Sequence, residues 1–318
     1  MLTHLLVLVD GSAPSFCHYD HDRRQTALMP LATLERTIAF AAGRRLALTV
    51  LPGREELPPE YRAALAKTAH AAIVPAALAD RYPNAVLVLD PDDIRGTPGG
   101  AAARRQYILR LPRRRLPAMA DLVRSCLGRA LRLDLYLGEI DRYTAADIEE
   151  YGRQLERAAT YVTEVYRQGS LPEVNIFSDR MLLGGMNNCD AGTVHLTVAP
   201  NGNFYICPGF YYDDESNAAG SLAEGVTLVN SQLLTLANAP VCSCCDAYHC
   251  KRCVYLNART TLEWNTPSRE QCVLAHLERN AARLIRERLG TVPPFSRLRA
   301  IPAVDYLDPF DQIPTRRL

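Results

Sequence analysis

The sequence predicts an α/β protein: a partial (β/α)6 barrel followed by a small cysteine-rich α+β unit. To about residue 180, short apolar or β-branched runs alternate with stretches of helical apolar spacing, which is typical of βα units around a parallel sheet. Beyond that point the alternation stops, and eight of the ten cysteines fall between residues 189 and 272. An open doubly wound sheet would give the same alternation, so the sequence leaves that architecture as an alternative.

Six segments of the first half have the composition of buried strands. They cover residues 5–9, 46–51, 85–89, 108–111, 131–137 and 174–177. Four segments between them place apolar residues three and four positions apart, which predicts helices. These helices cover residues 31–44, 59–69, 116–129 and 145–168. Thr144 can cap the last one, because a hydroxyl just before a helix accepts a hydrogen bond from an unpaired backbone amide.

The composition is that of an ordinary folded protein. Hydrophobic residues make up 48% of the 318 residues, and the net charge of +1 gives no overall attraction to nucleic acid. No apolar run reaches the length of a membrane span, about 18 residues, and the first ten residues lack the features of a signal peptide. We therefore expect a cytoplasmic protein without nucleic-acid or membrane partners. In that compartment, clustered cysteines usually bind metal.

The loop after the first predicted strand collects polar and sulfur-containing side chains. Its sequence, VDGSAPSFCHYDHDRR, contains Cys17, His18 and His21. Functional loops of parallel α/β folds follow the carboxyl ends of strands, and a nearby histidine lowers the pKa of a thiol. Cys17 and His21 are therefore candidate catalytic residues. The alternative is a polar loop in which Cys17 is only a small packed side chain.

Two cysteines are predicted to meet at the start of the cysteine-rich half. Cys189 is followed by DAGTVHLTVAPNGNFYIC, which ends at Cys207. Two alternating apolar runs in this segment flank Asn201 and Gly202, and an Asn-Gly pair in that position indicates a β-hairpin. The hairpin would bring the two thiols together as metal ligands.

A second group of cysteines lies in and after the segment CSCCDAYHCKRC. The spacing is C-x2-C-x4-C-x2-C, formed by Cys242, Cys245, Cys250 and Cys253, and Cys272 follows after a gap of 18 residues. A spacing of two residues lets both sulfurs reach one metal from a single turn of chain. Four thiolates at such spacing suit structural zinc as well as an iron–sulfur cluster, so the spacing does not identify the metal.

Taken together, these motifs resemble two known protein families. The pattern C-x12-G-x4-C, a four-cysteine knot and one distant cysteine looks like a SPASM domain, the auxiliary iron–sulfur module of radical SAM enzymes that mature peptides and proteins. The knot has four and two residues where the usual form has five and three. The segments SFCHYD, LMPLATLERTIAFA, LPPEYR, DAYHCKRCVYLN, NTPSREQC and HLERNAARL resemble the CXXX repeat peptide maturases, and this resemblance covers most of the chain.

The resemblance implies a domain organisation and a set of cluster ligands. It implies a degenerate radical SAM-like barrel over residues 1–180, a SPASM domain over 181–288 and a proline-containing tail over 289–318. Of one or two [4Fe–4S] clusters, one would be held by Cys242, Cys245, Cys250 and Cys272. The other would be held by Cys189, Cys207 and Cys253. Its fourth iron would fall to Cys244, to a nonprotein ligand or to a substrate thiol.

The loop after the first strand departs from the radical SAM pattern. Enzymes of that family hold their reducing cluster through a C-x3-C-x2-C loop. Cys17 matches the first cysteine, but His21 and Arg24 stand at the other two positions. The glycine-rich segment that the family uses for the amino group of SAM is also not evident after the second strand. These departures make SAM binding doubtful.

Three functional hypotheses result. In the first, which the resemblance favours, the protein matures a ribosomally synthesised, cysteine-repeat precursor peptide, and its auxiliary clusters bind substrate or relay electrons. In the second, it is a noncatalytic partner of a separate radical SAM enzyme. In the third, it is a zinc-stabilised binding protein.

Overall fold

A largely parallel sheet of nine strands forms the centre of the molecule. The computed structural model describes residues 2–92, 94 and 104–309. The strands are β1 His4–Leu8, β2 Ala47–Leu51, β3 Ala71–Pro75, β4 Val86–Leu89, β5 Arg105–Leu111, β6 Ala130–Leu137, β7 Glu173–Val174, β8 His195–Val198 and β9 Phe204–Tyr205. Their order is β7-β6-β5-β4-β3-β2-β1-β8-β9, and among these neighbours only β8 and β9 are antiparallel. The predicted α/β class is confirmed.

Eight helices accompany the sheet in the described part of the chain. They are α1 Leu31–Arg44, α2 Pro59–Leu65, α3 Met119–Leu127, α4 Ala145–Arg167, α5 Arg180–Leu182, α6 Pro208–Asp213, α7 Val254–Thr261 and α8 Arg269–Arg288. A small hairpin is formed by β10 Gly220–Ser221 and β11 Gly225–Val226. No described helix is both long enough and apolar enough to cross a membrane.

The two faces of the sheet belong to different cores. Leu5 and Val7 of β1 pack in one cluster with residues of α1 and α2. Leu6 and Leu8, which point to the opposite face because strand side chains alternate, pack in a larger cluster with residues of α3, α4 and α8. The cysteine-rich half joins this larger core, so the second face carries the candidate site.

The prediction of strands was wrong at two places. The strand β3 was not predicted, because its sequence AAIVP offers only two strongly β-favouring residues. The predicted strand at 174–177 is only β7, and residues Asn175–Asp179 form a π-helical turn. Ser178 Oγ donates to the carbonyl of Val174 and accepts from its amide, both at 2.9 Å, which holds this turn closed. The Asn175 side chain takes the place of a continued strand: its Oδ1 accepts from the Leu135 amide, and its Nδ2 donates to the Leu135 carbonyl.

The predicted helices and hairpin are present with small differences at their ends. Thr144 caps α4 in a reciprocal capping box with Asp147. The helix predicted at 116–129 starts at Met119, after the 3-10 turn Arg113–Ala118 that contains Pro117. Residues 195–205 form the Asn-Gly hairpin, with Gly202 at a φ of 79°.

The hairpin does not stand apart from the first half of the chain. Strand β8 pairs in parallel with β1, with His4 opposite His195 and Val7 opposite Val198. The sheet therefore continues across residue 180, and the division into units 1–180, 181–288 and 289–318 stays a prediction. Of the predicted tail, residues 310–318 lie outside the described residues.

Candidate metal centres

Four cysteines from four separate segments line one cavity of about 280 Å³ on the β1 face that carries Leu6. Cys17 comes from the loop after β1, and Cys189 from the loop before β8. Cys207 follows β9 at the start of α6, and Cys253 stands at the start of α7. Cys207 and Cys253 are buried, whereas Cys17 and Cys189 are half-buried. We call these four residues the hairpin-side group.

The Cys17 loop is held in place by side chains at the carboxyl ends of neighbouring strands. Arg110 of β5 donates from Nε to the carbonyl of Cys17 at 2.9 Å and from a terminal nitrogen to Asp20 at 3.2 Å. His18 donates from Nδ1 to the carbonyl of Leu137, the last residue of β6, at 3.2 Å. These bonds fix the Cys17 carbonyl and the residues that follow it.

The thiols of the hairpin-side group influence one another. Burial raises the pKa of Cys17 to about 12, and the neighbouring Cys189 contributes to this rise. Burial, followed by Cys17 and Cys189, holds the pKa values of Cys207 and Cys253 well above the ordinary value. This is the opposite of the lowered pKa expected for a catalytic thiol beside a histidine. A bound cation would reverse this balance, because metal ligation requires the thiolate form.

The remaining knot cysteines form a second set, the knot-side group: Cys242, Cys245, Cys250 and Cys272. Burial raises the pKa of Cys250 to about 12, and Cys242 and Cys245 add to this effect. Burial and the same three cysteines raise the pKa of Cys272, which lies in the first turn of α8. Cys253 lines the cavity of Cys189 and Cys207, and the division of the cysteines between two clusters stays a prediction.

A buried arginine connects the segments that carry the two groups. Arg252 is fully buried between Cys250 and Cys253, and its Nε donates to Asn188 Oδ1 at 2.8 Å. The Cys189 amide donates to the carbonyl of Lys251 at 2.9 Å. This bond joins the segment before the hairpin to the knot.

A second arginine anchor lies below the knot. Arg279 of α8 is also fully buried and bonds both oxygens of Asp246, at 2.6 and 2.7 Å. Arg180 adds a bond of 2.8 Å to the same carboxylate. The knot is therefore fixed to α5 and α8 independently of any metal.

Two histidines lie next to the thiols, and of these His276 was not predicted. His195 Nε2 donates to the carbonyl of Cys189 at 2.9 Å and lies 3.9 Å from its Sγ. His276 donates from Nδ1 to the carbonyl of Cys272 at 2.9 Å, and its Nε2 lies 3.9 Å from Cys245 Sγ. The second could have been found from sequence, because positions four apart in a helix share a face.

The other candidate residues lie elsewhere. His21 does not line the cavity of the hairpin-side group: its ring stacks on Tyr212 with centroids 3.7 Å apart, and burial lowers its pKa to about 4. Arg24 and Cys244 are exposed. Cys126 belongs to α3 and is buried in the larger core. Catalytic roles for Cys17 and His21 stay predictions.

Among the described residues, no set of three or more His, Cys, Asp or Glu side chains is grouped tightly enough for a single metal ion.

Comparisons with known proteins concern the fold. No family model and no curated protein matches the chain. The fold is similar to that of a histidine-tagged form of anSMEcpe with bound AdoMet, with a TM-score of 0.60 and 12% identity over 93% of this chain and 97% of that chain. Native anSMEcpe with bound AdoMet and the Cp18Cys peptide gives 0.58 and 13% over 91% and 99%.

These likenesses show that the chain has a mixed α/β fold similar to that of these AdoMet-bound structures. Both similar structures contain AdoMet, so the comparisons do not support the expectation that SAM binding is doubtful. Membership in the CXXX repeat peptide maturases stays a prediction.

Proposed function

We propose that the protein takes part in the maturation of a ribosomally synthesised, cysteine-repeat peptide as an iron–sulfur protein of radical SAM type. One observation carries the proposal: four thiols line one cavity in a fold that matches, over 91% of the chain, a protein solved with AdoMet and a peptide. The sequence segments that resemble the peptide maturases support the choice of substrate. The coarser part, peptide maturation, rests on the fold, and the finer part, a cysteine-repeat substrate, rests on the sequence.

The residues of both thiol groups suit a [4Fe–4S] cluster, because thiolates are the ligands that such clusters use. No carboxylate is among the described residues that line the hairpin-side cavity. A cluster with four thiolates carries net negative charge, and cations face both groups. Burial raises the pKa values of Cys17, Cys189 and Cys242, and nearby cations offset part of the rise: Arg110 at Cys17, Lys251 and Arg252 at Cys189, and Arg252 at Cys242.

The chain's own residues prepare the hairpin-side cavity. Phe16, Tyr19 and Tyr136 line it beside the thiols and keep its walls apolar. Its only lysine among the described lining residues is Lys251. Bound clusters would supply electron transfer, or a ligand position for a substrate thiol. The apolar walls limit water near the sulfurs, which together with hydrogen bonding sets the potential of such sites.

A second candidate function is that of a partner to a separate radical SAM enzyme. It is favoured by the Cys17 loop, where His21 and Arg24 replace two cysteines of the reducing-cluster motif. The His21 ring is committed to the stack with Tyr212, and Arg24 is exposed. In this role the protein would bind the precursor peptide or pass electrons to the enzyme that forms the radical.

Metal and sulfide analysis of anaerobically purified, reconstituted protein tests the proposal. Two clusters require about eight irons with matching sulfide per chain. AdoMet and precursor-peptide binding would then be measured on the same material by equilibrium dialysis. Zinc without iron would contradict the proposal.

A deletion experiment separates the two candidate functions. The precursor peptide would be co-expressed with this protein, with and without a neighbouring radical SAM gene. Modification that needs only this protein supports the maturase. Modification that stops when the neighbouring gene is deleted supports the partner role.

A further inference from the structure

The two groups of thiols differ in how many of their ligands come from the cysteine-rich half. A [4Fe–4S] cluster has four irons, each of which takes one outer ligand. The knot-side group supplies four cysteines from residues 242–272, but the hairpin and the knot supply only three to the other cavity: Cys189, Cys207 and Cys253. One iron there needs a ligand from outside this half.

A fourth thiol already lines that cavity. Cys17 reaches it because β1 and β8 are parallel neighbours, so the loop after β1 lies beside the segments that carry Cys189 and Cys207. Arg110 holds the Cys17 carbonyl, and the ring of the next residue, His18, bonds the carbonyl of Leu137, so this part of the loop is fixed beside the cavity.

Other candidates for this ligand are placed less well. Cys244 is exposed and does not line the cavity. His195 does line it, but its Nε2 hydrogen is given to the carbonyl of Cys189 at 2.9 Å. That bond makes His195 a residue that orients Cys189.

We propose that Cys17 is the fourth protein ligand of the cluster held by Cys189, Cys207 and Cys253. This inference rests on the proposed function, since it presupposes a cluster in the hairpin-side cavity. It assigns Cys17 to an auxiliary cluster, although the residue stands at the first position of the reducing-cluster motif. A cluster with four protein thiolates has no open iron, so this site relays electrons and does not bind a substrate thiol.

The test compares Cys17→Ala with wild-type protein, using Cys244→Ala and Cys126→Ala as controls. Each is purified anaerobically and reconstituted, and iron, sulfide and electron paramagnetic resonance spectra are measured. Samples are also treated with one equivalent of ferricyanide and, separately, with cyanide. Oxidation of a cluster by one electron releases Fe²⁺ from an iron without a thiolate and leaves [3Fe–4S]⁺. Cyanide binds an open iron.

We expect Cys17→Ala to lose about half of its iron, or to give [3Fe–4S]⁺ and a cyanide-dependent spectrum at one cluster. Wild-type protein and the two controls should give neither change. If Cys17→Ala does not fold, Cys17→Ser keeps the size of the side chain and offers a weaker oxygen ligand, so its cluster spectrum should shift.

The results that would contradict the assignment of Cys17 differ from those that would contradict the proposed function. Two clusters in wild-type protein, with Cys17→Ala and Cys17→Ser unchanged in iron and spectra, would overturn the assignment and leave the proposed function standing. A cyanide response in wild-type protein would also overturn it. Zinc without iron in wild-type protein would overturn both.

Discussion

The two thiol groups have the same chemistry but depend on the fold in different ways. Three ligands of the knot-side group lie within residues 242–250, and the fourth, Cys272, lies in the first turn of α8. The hairpin-side group gathers residues from 17 to 253 and requires the pairing of β1 with β8. A local site is coupled to the folding of its own segment, whereas a dispersed site is coupled to the whole sheet. The comparison leads to predictions that separate the two.

The largest effect is expected from Cys250→Ala, which removes a half-buried ligand of the knot-side group. Metal binding contributes folding free energy to small knots. Loss of the Cys250 ligand should therefore lower the stability of the C-terminal half by roughly several kcal/mol and remove about half of the iron. Iron analysis and limited proteolysis measure the two effects. Cys244→Ala is the matched control in the same segment, and retained iron in Cys250→Ala would contradict the ligand assignment.

The next effect concerns the anchor of the knot. Asp246→Asn leaves Arg279 and Arg180, both buried, without their shared carboxylate. The arginines are buried but the carboxylate is half-buried, so the loss costs less than a fully buried pair, about 2 kcal/mol, and would appear as a lower urea midpoint. Asp213→Asn is the control, because its bridge to Arg259 is exposed and is worth less than about 1 kcal/mol. Equal midpoint shifts would show that the knot does not depend on this anchor.

Arg110→Met should affect only the dispersed site. The variant removes the hydrogen bond to the Cys17 carbonyl and the pair with Asp20. Outer partners of this kind change metal affinity by about tenfold or more, so an iron chelator should remove one cluster faster while the other is unchanged. Arg114→Met, which breaks only an exposed pair with Asp92, is the control. Faster loss of both clusters would mean that Arg110 supports the fold as a whole.

Local patterns predicted most of the elements, whereas the division of the cysteines into two groups came from the family resemblance and stays a prediction. The bounds of α1, the Thr144 cap and the Asn-Gly hairpin follow from short-range spacing, which one sequence displays. The position of Cys17 in the cavity could not be predicted in this way, because it depends on β8 pairing with β1 across about 190 residues of chain. The strand β3 was missed because a short run of alanines and proline carries little pattern.

The smallest effect on stability is expected at the cap of α4, where a substitution should affect neither thiol group. Arg113 donates to Asp147 at 2.9 Å and holds the pKa of this carboxyl, which also caps α4, at about 2, below its ordinary value of 3.8. Since the folded-state pKa is the lower one, the stabilisation is complete above the ordinary value and is lost as the pH falls through about 2. Asp147→Asn should therefore lower stability at pH 7 by only about 0.5 kcal/mol and flatten the dependence of stability on pH between about 4 and 2. Urea unfolding across this range measures both.

The helix that Asp147 caps also packs against the knot. Tyr151 of α4 donates to Glu278 of α8 at 2.5 Å, and α8 carries the knot-side ligand Cys272. Fraying of the first turn of α4 stops before this contact, because the effect of a cap is confined to the helix end. Both clusters should therefore keep their iron in Asp147→Asn. Loss of iron from the knot-side group alone would show that the local site depends on α4 as well as on its own segment.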